Sequence, residues 1–536
     1  MNKSLFIGAI VSLSLVLFSC REERLSSEMP GQNPVVNPVM SKDTEMKTQF
    51  AKALAKALKD HKELRDFIKM EALKQVNRDY DVLYHVIKNK PVTTMTAMGG
   101  NTIHDLLLPY FETEAQLLEI ENKLPLLTIF VPDLPEDSFS AEDWETLTEI
   151  PYVAVRTYES NDIPIYNADG ENFVLDAPYI PAFPVVVVKD NERVIPNNDE
   201  LFDDLDTPIL TESTDDVQLR LASNNFAHVL EPYNPPPPPS GSYPRVDPIH
   251  VQAYDVYKDY TPGGWQRDFI YYAITPTSPN GVVNQTYKEE LTSFKLTGPP
   301  EDVYIRIASS QDPNLVPPFI GGSQTPSQAS AWTDGGFDIK IYRFNGAKNT
   351  NVAELYGGFP VAPESLFDIT YTLIYINMHP PLKDIYAYIP QVTGLKMYDL
   401  YNNPENKVQF STWNLDNYSN QWALEFEEVD LATTHGVEKT HSYKYNGNIS
   451  FEPEPVSGLF KKLGLKFGVS AETSGSEKLT LQYTDVSDGL GSVDIGFDDN
   501  VVDWKLMGGI VPKYGLVPNK YNNGYIEIEV RPMRTY

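Results

Sequence analysis

Five consecutive prolines occupy residues 235–239, and Ser-Gly-Ser-Tyr-Pro follows them. Proline fixes its own φ and has no backbone N–H, so this stretch can continue neither a helix nor a central strand and favours a stiff polyproline II segment. A boundary is therefore expected, with residues 44–230 on one side, 249–536 on the other and 231–248 as the linker. A proline-rich ligand motif is the functional alternative for the same residues; a spacer within one chain accounts for them more simply.

Ahead of the prolines the apolar residues recur at helical spacing. Met46, Phe50, Leu54 and Leu58, then Leu64, Phe67 and Ile68, then Val82, Leu83, Val86 and Ile87 define one apolar face. This predicts two helices broken near Asp60 and His61, with Asp60 capping the second, and a third short helix at 80–88. Acidic Glu63, Asp66 and Glu71 interrupt the basic face, so these helices are expected to dock in a domain rather than on a membrane. Further short helices are expected at 103–110 and 114–122, and strands at 126–131 and 153–158. Ser140 and Asp143 resemble a capping box that opens a helix carrying Trp144. Residues 184–195 read as a hairpin turning at Asp190-Asn191. The sum is an α+β domain with N-terminal helices.

Beyond the prolines the helical period disappears. Strand-like runs at 267–275, 292–296, 303–308, 337–344, 368–377, 408–413, 422–426, 463–469, 479–483 and 525–530 are separated by Gly, Pro and Asn. The reading is a larger all-β, β-sandwich-like C-terminal region, long enough for one sandwich or two.

Composition narrows the function classes. The formal charge of -31 repels nucleic acid and anionic lipid, and no basic cluster reverses it locally, so nucleic acid is excluded as a partner. Residues 111–220 hold 26 Asp or Glu against 5 Lys or Arg. Clustered carboxylates suit Ca²⁺, the one cofactor suggested, and Asp203, Asp204 and Asp206 beside Asp199 and Glu200, or Asn167, Asp169 and Glu171, are candidate ligands. A second candidate set is Asp485 and Asp488 with Asp494, Asp498 and Asp499 at strand ends, where modules of the C2 type collect Ca²⁺. Solvated surface and ordinary turn chemistry are the alternatives for both sets.

Cys20 is the only cysteine in 536 residues, so no disulfide can staple the fold and stability must come from burial. Ahead of it lie Lys3 and an uncharged run over residues 5–19, shorter than the roughly 20 residues that span a bilayer, which reads as a secretory segment. Leu17-Phe18-Ser19-Cys20 resembles the lipobox of bacterial lipoproteins, although Phe18 is bulkier than the small residue usual there. The resemblance implies a signal peptide over 1–19, an acylated Cys20 as membrane anchor and a flexible tether over 20–43. Arg21-Glu22-Glu23 resembles the export signal of Bacteroidota lipoproteins displayed on the outer face of the outer membrane.

No His-Glu-x-x-His, Gly-x-Ser-x-Gly or phosphate loop occurs among these residues. Glycoside hydrolysis needs only two suitably spaced carboxyl groups, which leave no linear signature. Residues 463–483 alternate apolar with small or polar residues and resemble the membrane-inserting hairpin of aerolysin-like pore formers, with Lys466 and Glu472 on the polar parity. Any half-buried hairpin alternates in the same way. The chain also carries 32 Tyr, 24 Phe and 6 Trp. Trp265 after two glycines and Trp332 after a Ser/Gln/Pro-rich loop are the candidate exposed ligand contacts, with a core role as the alternative. The functional expectation is a surface lipoprotein binding glycan or protein, or serving as an accessory module. A surface hydrolase using dispersed carboxylates comes second and a pore former third.

Overall fold

Ser41 opens the first helix, Lys42–Asp60: its hydroxyl accepts from the Thr44 N–H at 3.2 Å and so satisfies one orphan donor of the first turn. The computed structural model describes residues 41–535 apart from 93–100, 158–159, 199–205, 212–216, 228–245, 260–263, 279–280, 309–330, 348–351, 379–383, 416–417, 430–435, 444–451, 454–459, 462–476, 485–486 and 508–512. Cys20, the charged residues after it, the proline run, Asp203, Asp204 and Asp485 lie outside the described residues. Among the described residues no helix is long and apolar enough to cross a membrane.

The second helix, Lys62–Ala72, follows a break at His61, where the sequence places it. Asp60 does not cap it. His61 takes that position without a side-chain bond, and the Asp60 carboxylate accepts instead from the Tyr110 hydroxyl at 2.7 Å. Phe50, Leu54 and Leu58 of the first helix are fully buried against a six-stranded sheet. Its strand order is Asp81–Leu83, Leu127–Phe130, Val185–Asp190, Tyr152–Val155, Ile163–Tyr166 and Asn172–Leu175, and only Tyr152–Val155 and Val185–Asp190 run parallel.

The hairpin expected over 184–195 does not form. All four valines of Val185–Asp190 are buried, and the strand is central in its sheet, paired with Leu127–Phe130 along one edge and with Tyr152–Val155 along the other. Val194–Pro196 leaves this sheet and pairs with Leu219–Leu221. Ser140 and Asp143 do bond reciprocally, at 3.0 and 3.1 Å, but they close a turn rather than open a helix.

The C-terminal region is β-rich and fits a sandwich. One antiparallel sheet orders Val352–Val361, Phe337–Ala347, Tyr418–Val429 and Ser487–Gly496; the other is built on Tyr287–Leu296 and Ile526–Arg534. Ile339, Phe359, Leu424 and Phe426 of the first share one core with Leu291, Phe294, Ile528 and Val530 of the second. Trp413 and Trp422 stack within it at 4.1 Å, and the Arg343 guanidinium lies 4.4 Å from the Trp422 ring.

Two of the expected strands in this region are helices. Residues 267–275 form most of Gln266–Tyr272, and 303–308 fall largely within Pro300–Ile307. In the first, six of the seven residues are buried, and Ala273 ends the helix in the left-handed conformation at φ 51°, its N–H bonding back to the Asp268 and Phe269 carbonyls. In the second, Pro300 supplies a preset first turn, Glu301 and Asp302 favour the helix N-terminus, and Val303, Tyr304 and Ile307 turn inward. A third helix, Pro248–Tyr257, starts from an Asp247 cap that accepts from the Ile249 N–H at 3.0 Å.

The two regions expected to fold as separate bodies are joined. Ile180 and Pro181 pair with Tyr388 and Ala387, so the strand Ile385–Leu395 lies between Ile180–Pro181 and Phe367–Ile376. Trp332, Ile385 and Tyr388 belong to the N-terminal core. A buried charge cluster crosses the same joint. Arg193 Nε meets both Asp338 oxygens at 2.8 and 2.9 Å and another of its nitrogens lies 3.2 Å from Asp79. Lys189 contacts Glu192 at 2.6 Å and Asp81 at 3.5 Å, and Arg156 donates to Asp334 at 3.0 Å.

Candidate ligand-binding site

Both sequence-predicted contacts, expected to be exposed, are buried. Trp265 is only 3% exposed; it precedes the Gln266–Tyr272 helix and stacks on Tyr257 at 6.1 Å. Trp332 is 7% exposed within the N-terminal core. The glycine beside Trp265 explains its inward placement. Gly264 has φ +104°, and a Cβ there would meet the Asp498 carbonyl oxygen at 2.2 Å, so glycine lets the loop close against its neighbour.

Among the described residues the candidate metal ligands form no metal-binding group, and Asp199, Glu200, Asp203, Asp204 and Asp485 lie outside those residues. Asp206 is exposed, and its carbonyl accepts from Asn224 Nδ2 at 3.1 Å. Asp488 lies in Ser487–Gly496 opposite Glu428. Asn167 Oδ1 accepts from the Asp169 and Glu171 N–H groups at 3.0 and 2.9 Å, and Asp169 pairs with Lys59, so these residues build the turn between two strands. Asp494, Asp498 and Asp499 border a depression of about 300 Å³ with Asn420, Gln421 and Gly496. Asp499 is already occupied there, accepting from the Gly496 N–H at 2.6 Å. Among the described residues no group of three His, Cys, Asp or Glu side chains could hold a metal ion. Of the segment compared with pore-forming hairpins, 463–476 lies outside the described residues, and Glu477–Thr484 pairs with Gly436–Tyr443.

One tryptophan is exposed. Trp144, Trp265, Trp332, Trp413 and Trp422 are all 7% exposed or less, whereas Trp504 keeps 55% of its surface in solvent. It lies on the strand Val502–Met507, paired with Lys513–Pro518 and opposite Leu516. Gln266 fixes the start of that strand: its Oε1 accepts from the Val501 and Val502 N–H groups at 2.9 and 2.8 Å, and its Nε2 donates to the Val502 carbonyl at 2.8 Å. Val501, Val502 and Leu516 then pack with Ala253 and Ile270 in a small core of their own.

Above that core the Tyr254 ring stacks on Trp504, with centroids 6.3 Å apart and planes 21° from parallel. Val251, one helical turn before Tyr254, is 37% exposed. The result is an aromatic surface carried by a helix and a strand, both anchored from below. On the helix, Lys258 pairs with Asp255 at 3.1 Å next to Tyr254, while Asp503 and Lys505, paired at 3.1 Å, stand on the opposite face of the strand from Trp504. Such a surface offers ring faces to apolar C–H groups and hydrogen bonds at its rim. No local signal marks Trp504 in the sequence, because the charged Asp503 and Lys505 fall on the opposite face of its strand.

No protein-family model, no curated protein and no solved structure matches this chain.

Proposed function

We propose that this chain is a cell-surface lipoprotein, held to the outer membrane through Cys20, that serves as a binding or accessory module and takes a glycan on the Trp504–Tyr254 surface. The lipobox-like Leu17-Phe18-Ser19-Cys20 supports the anchor. The observation that carries the ligand class is the exposed Trp504 stacked on Tyr254, with the Lys258–Asp255 pair on the same helix as Tyr254, in a protein whose other five tryptophans are buried. A half-exposed indole is unfavourable in water, and a pyranose face, with apolar C–H groups ringed by hydroxyls, complements both the ring and the polar rim.

A glycan array read for both binding and released product tests this reading. Trp504→Ala should weaken binding of a captured glycan about fivefold or more, the equivalent of about 1 kcal/mol, while leaving the melting temperature nearly unchanged. Equal binding by the variant would remove the site. Product formation would transfer the reading to a hydrolase using carboxylates, and binding of a protein alone would exclude the glycan.

A further inference from the structure

Strands at the edge of a sheet present unpaired backbone groups, and proteins blunt them with charge, proline, bulges or a covering element. The strand Phe367–Ile376 pairs with Ile385–Leu395 along one side, and among the described residues no strand pairs with its other side. A register shift at Asp368/Ile369 and an ion pair between Lys396 and Asp368 protect only its beginning. The eight residues from Ile369 onward are Ile-Thr-Tyr-Thr-Leu-Ile-Tyr-Ile, with no charge, no proline and strong strand propensity.

The two strands are also tied together near Ile376 and Ile385. Tyr375 donates to Asp384, which accepts the Met378 N–H at 2.9 Å, and the Tyr375 and Tyr386 rings meet edge to face at 5.5 Å. Leu373, Tyr375 and Tyr386 nonetheless remain 53%, 55% and 53% exposed.

We propose that Phe367–Ile376 is a self-association edge, along which two copies of this chain pair antiparallel about a two-fold axis near Leu373 and join their three-stranded sheets into one of six strands. A second copy is the occupant that the charge pattern fits. The eight residues from Ile369 carry no charge, so two chains of formal charge -31 meet with least repulsion along them, and the nearest carboxylates, Glu364 and Asp384, are engaged by the Tyr371 and Tyr375 hydroxyls. Pairing about Leu373 sets Thr372 opposite Ile374, Tyr371 opposite Tyr375 and Thr370 opposite Ile376, while Asp368 stays outside the seven paired residues. Such an interface is isologous, each copy giving the same residues. It also brings the Leu373, Tyr375 and Tyr386 patches of the two copies onto one face. Half-exposed tyrosines leave roughly 100 Å² each to bury. Pairing the strands covers their backbone edges and part of the Leu373 and Tyr375 side chains, the contact from which an interface of about 1,000 Å² would be built.

Residues facing each other across an antiparallel pair are within disulfide reach, which makes the axis testable. In membranes holding the full chain, Leu373→Cys should give a disulfide-linked species of twice the chain mass on mild oxidation. Wild type, with Cys20 alone, and Val282→Cys, 87% exposed elsewhere, should not. In sedimentation of the detergent-purified chain, Thr372→Lys and Leu373→Lys should weaken association at least tenfold with unchanged melting curves, both positions being exposed. Cross-linking of Leu373→Cys no stronger than of Val282→Cys would overturn the proposal, as would lysine variants that associate like wild type. A Leu373→Cys cross-link to a species of another mass would assign the edge to a different partner and overturn self-pairing equally.

Discussion

Replacing Arg193 by Met should destabilise the fold by about 3–5 kcal/mol near pH 7.5, because it leaves buried carboxylates without their cation. Arg193 is fully buried and serves both sides of the joint. It holds Asp338 with two bonds of 2.8 and 2.9 Å, approaches Asp79 to 3.2 Å and donates to the Asn77 carbonyl at 3.1 Å. Burial pushes the Asp79 carboxyl up to about 6, against the opposing pull of Arg193, and raises Asp338 for the same reason. A carboxyl raised in this way holds its proton more tightly folded than unfolded. Stability therefore falls as pH climbs from the unfolded value of 3.8 through the folded one. Without Arg193 both carboxyls rise further and the window extends to higher pH. The loss should be largest at pH 7.5 and shrink toward pH 4.5, where the unpaired carboxyls take up protons. Urea melts of both proteins at the two pH values measure it. A loss below about 1 kcal/mol at pH 7.5, or an equal loss at both, would refute the account. Arg193→Met combined with Asp338→Leu should recover much of the loss, since no carboxylate then remains at that end of the guanidinium.

Glu192 is pushed up to about 8, first by burial and then by Asp81, which competes with it for Lys189. Glu192→Gln should therefore flatten the fall in wild-type stability between pH 5 and 8, and an unchanged slope in urea melts would place that titration elsewhere. Cys20→Ser should release the chain from membranes or leave its precursor unprocessed; full membrane retention of a processed variant would remove the lipid anchor.

How much of this was legible depended on whether the deciding interactions are local. The first two helices could be read because Phe50, Leu54, Leu58, Leu64 and Ile68 repeat at the period of the face they bury. The stretch at 267–275 reads as a strand from its aromatic and β-branched content, and because six of the seven residues of Gln266–Tyr272 are buried, polar Gln266, Arg267 and Asp268 included, no one-sided apolar period corrects that reading. Val185–Asp190 was recognisable as a strand, but its partners come from 127–130 and 152–155, and nothing within the segment specifies them. The charge cluster was out of reach for the same reason. Asp79, Asp81, Lys189, Glu192, Arg193 and Asp338 are drawn from three distant parts of the chain, and each alone reads as solvated surface. Flanking residues likewise mislead about tryptophans when the burying element is remote. Tyr257 covers Trp265 despite its glycine-rich approach, whereas Trp504 stays exposed because the helix that reaches it offers only Tyr254 to one side. The exposed ring thus marks the place where the packing of two local elements ends, and a ligand there would complete a surface that the chain itself leaves half covered.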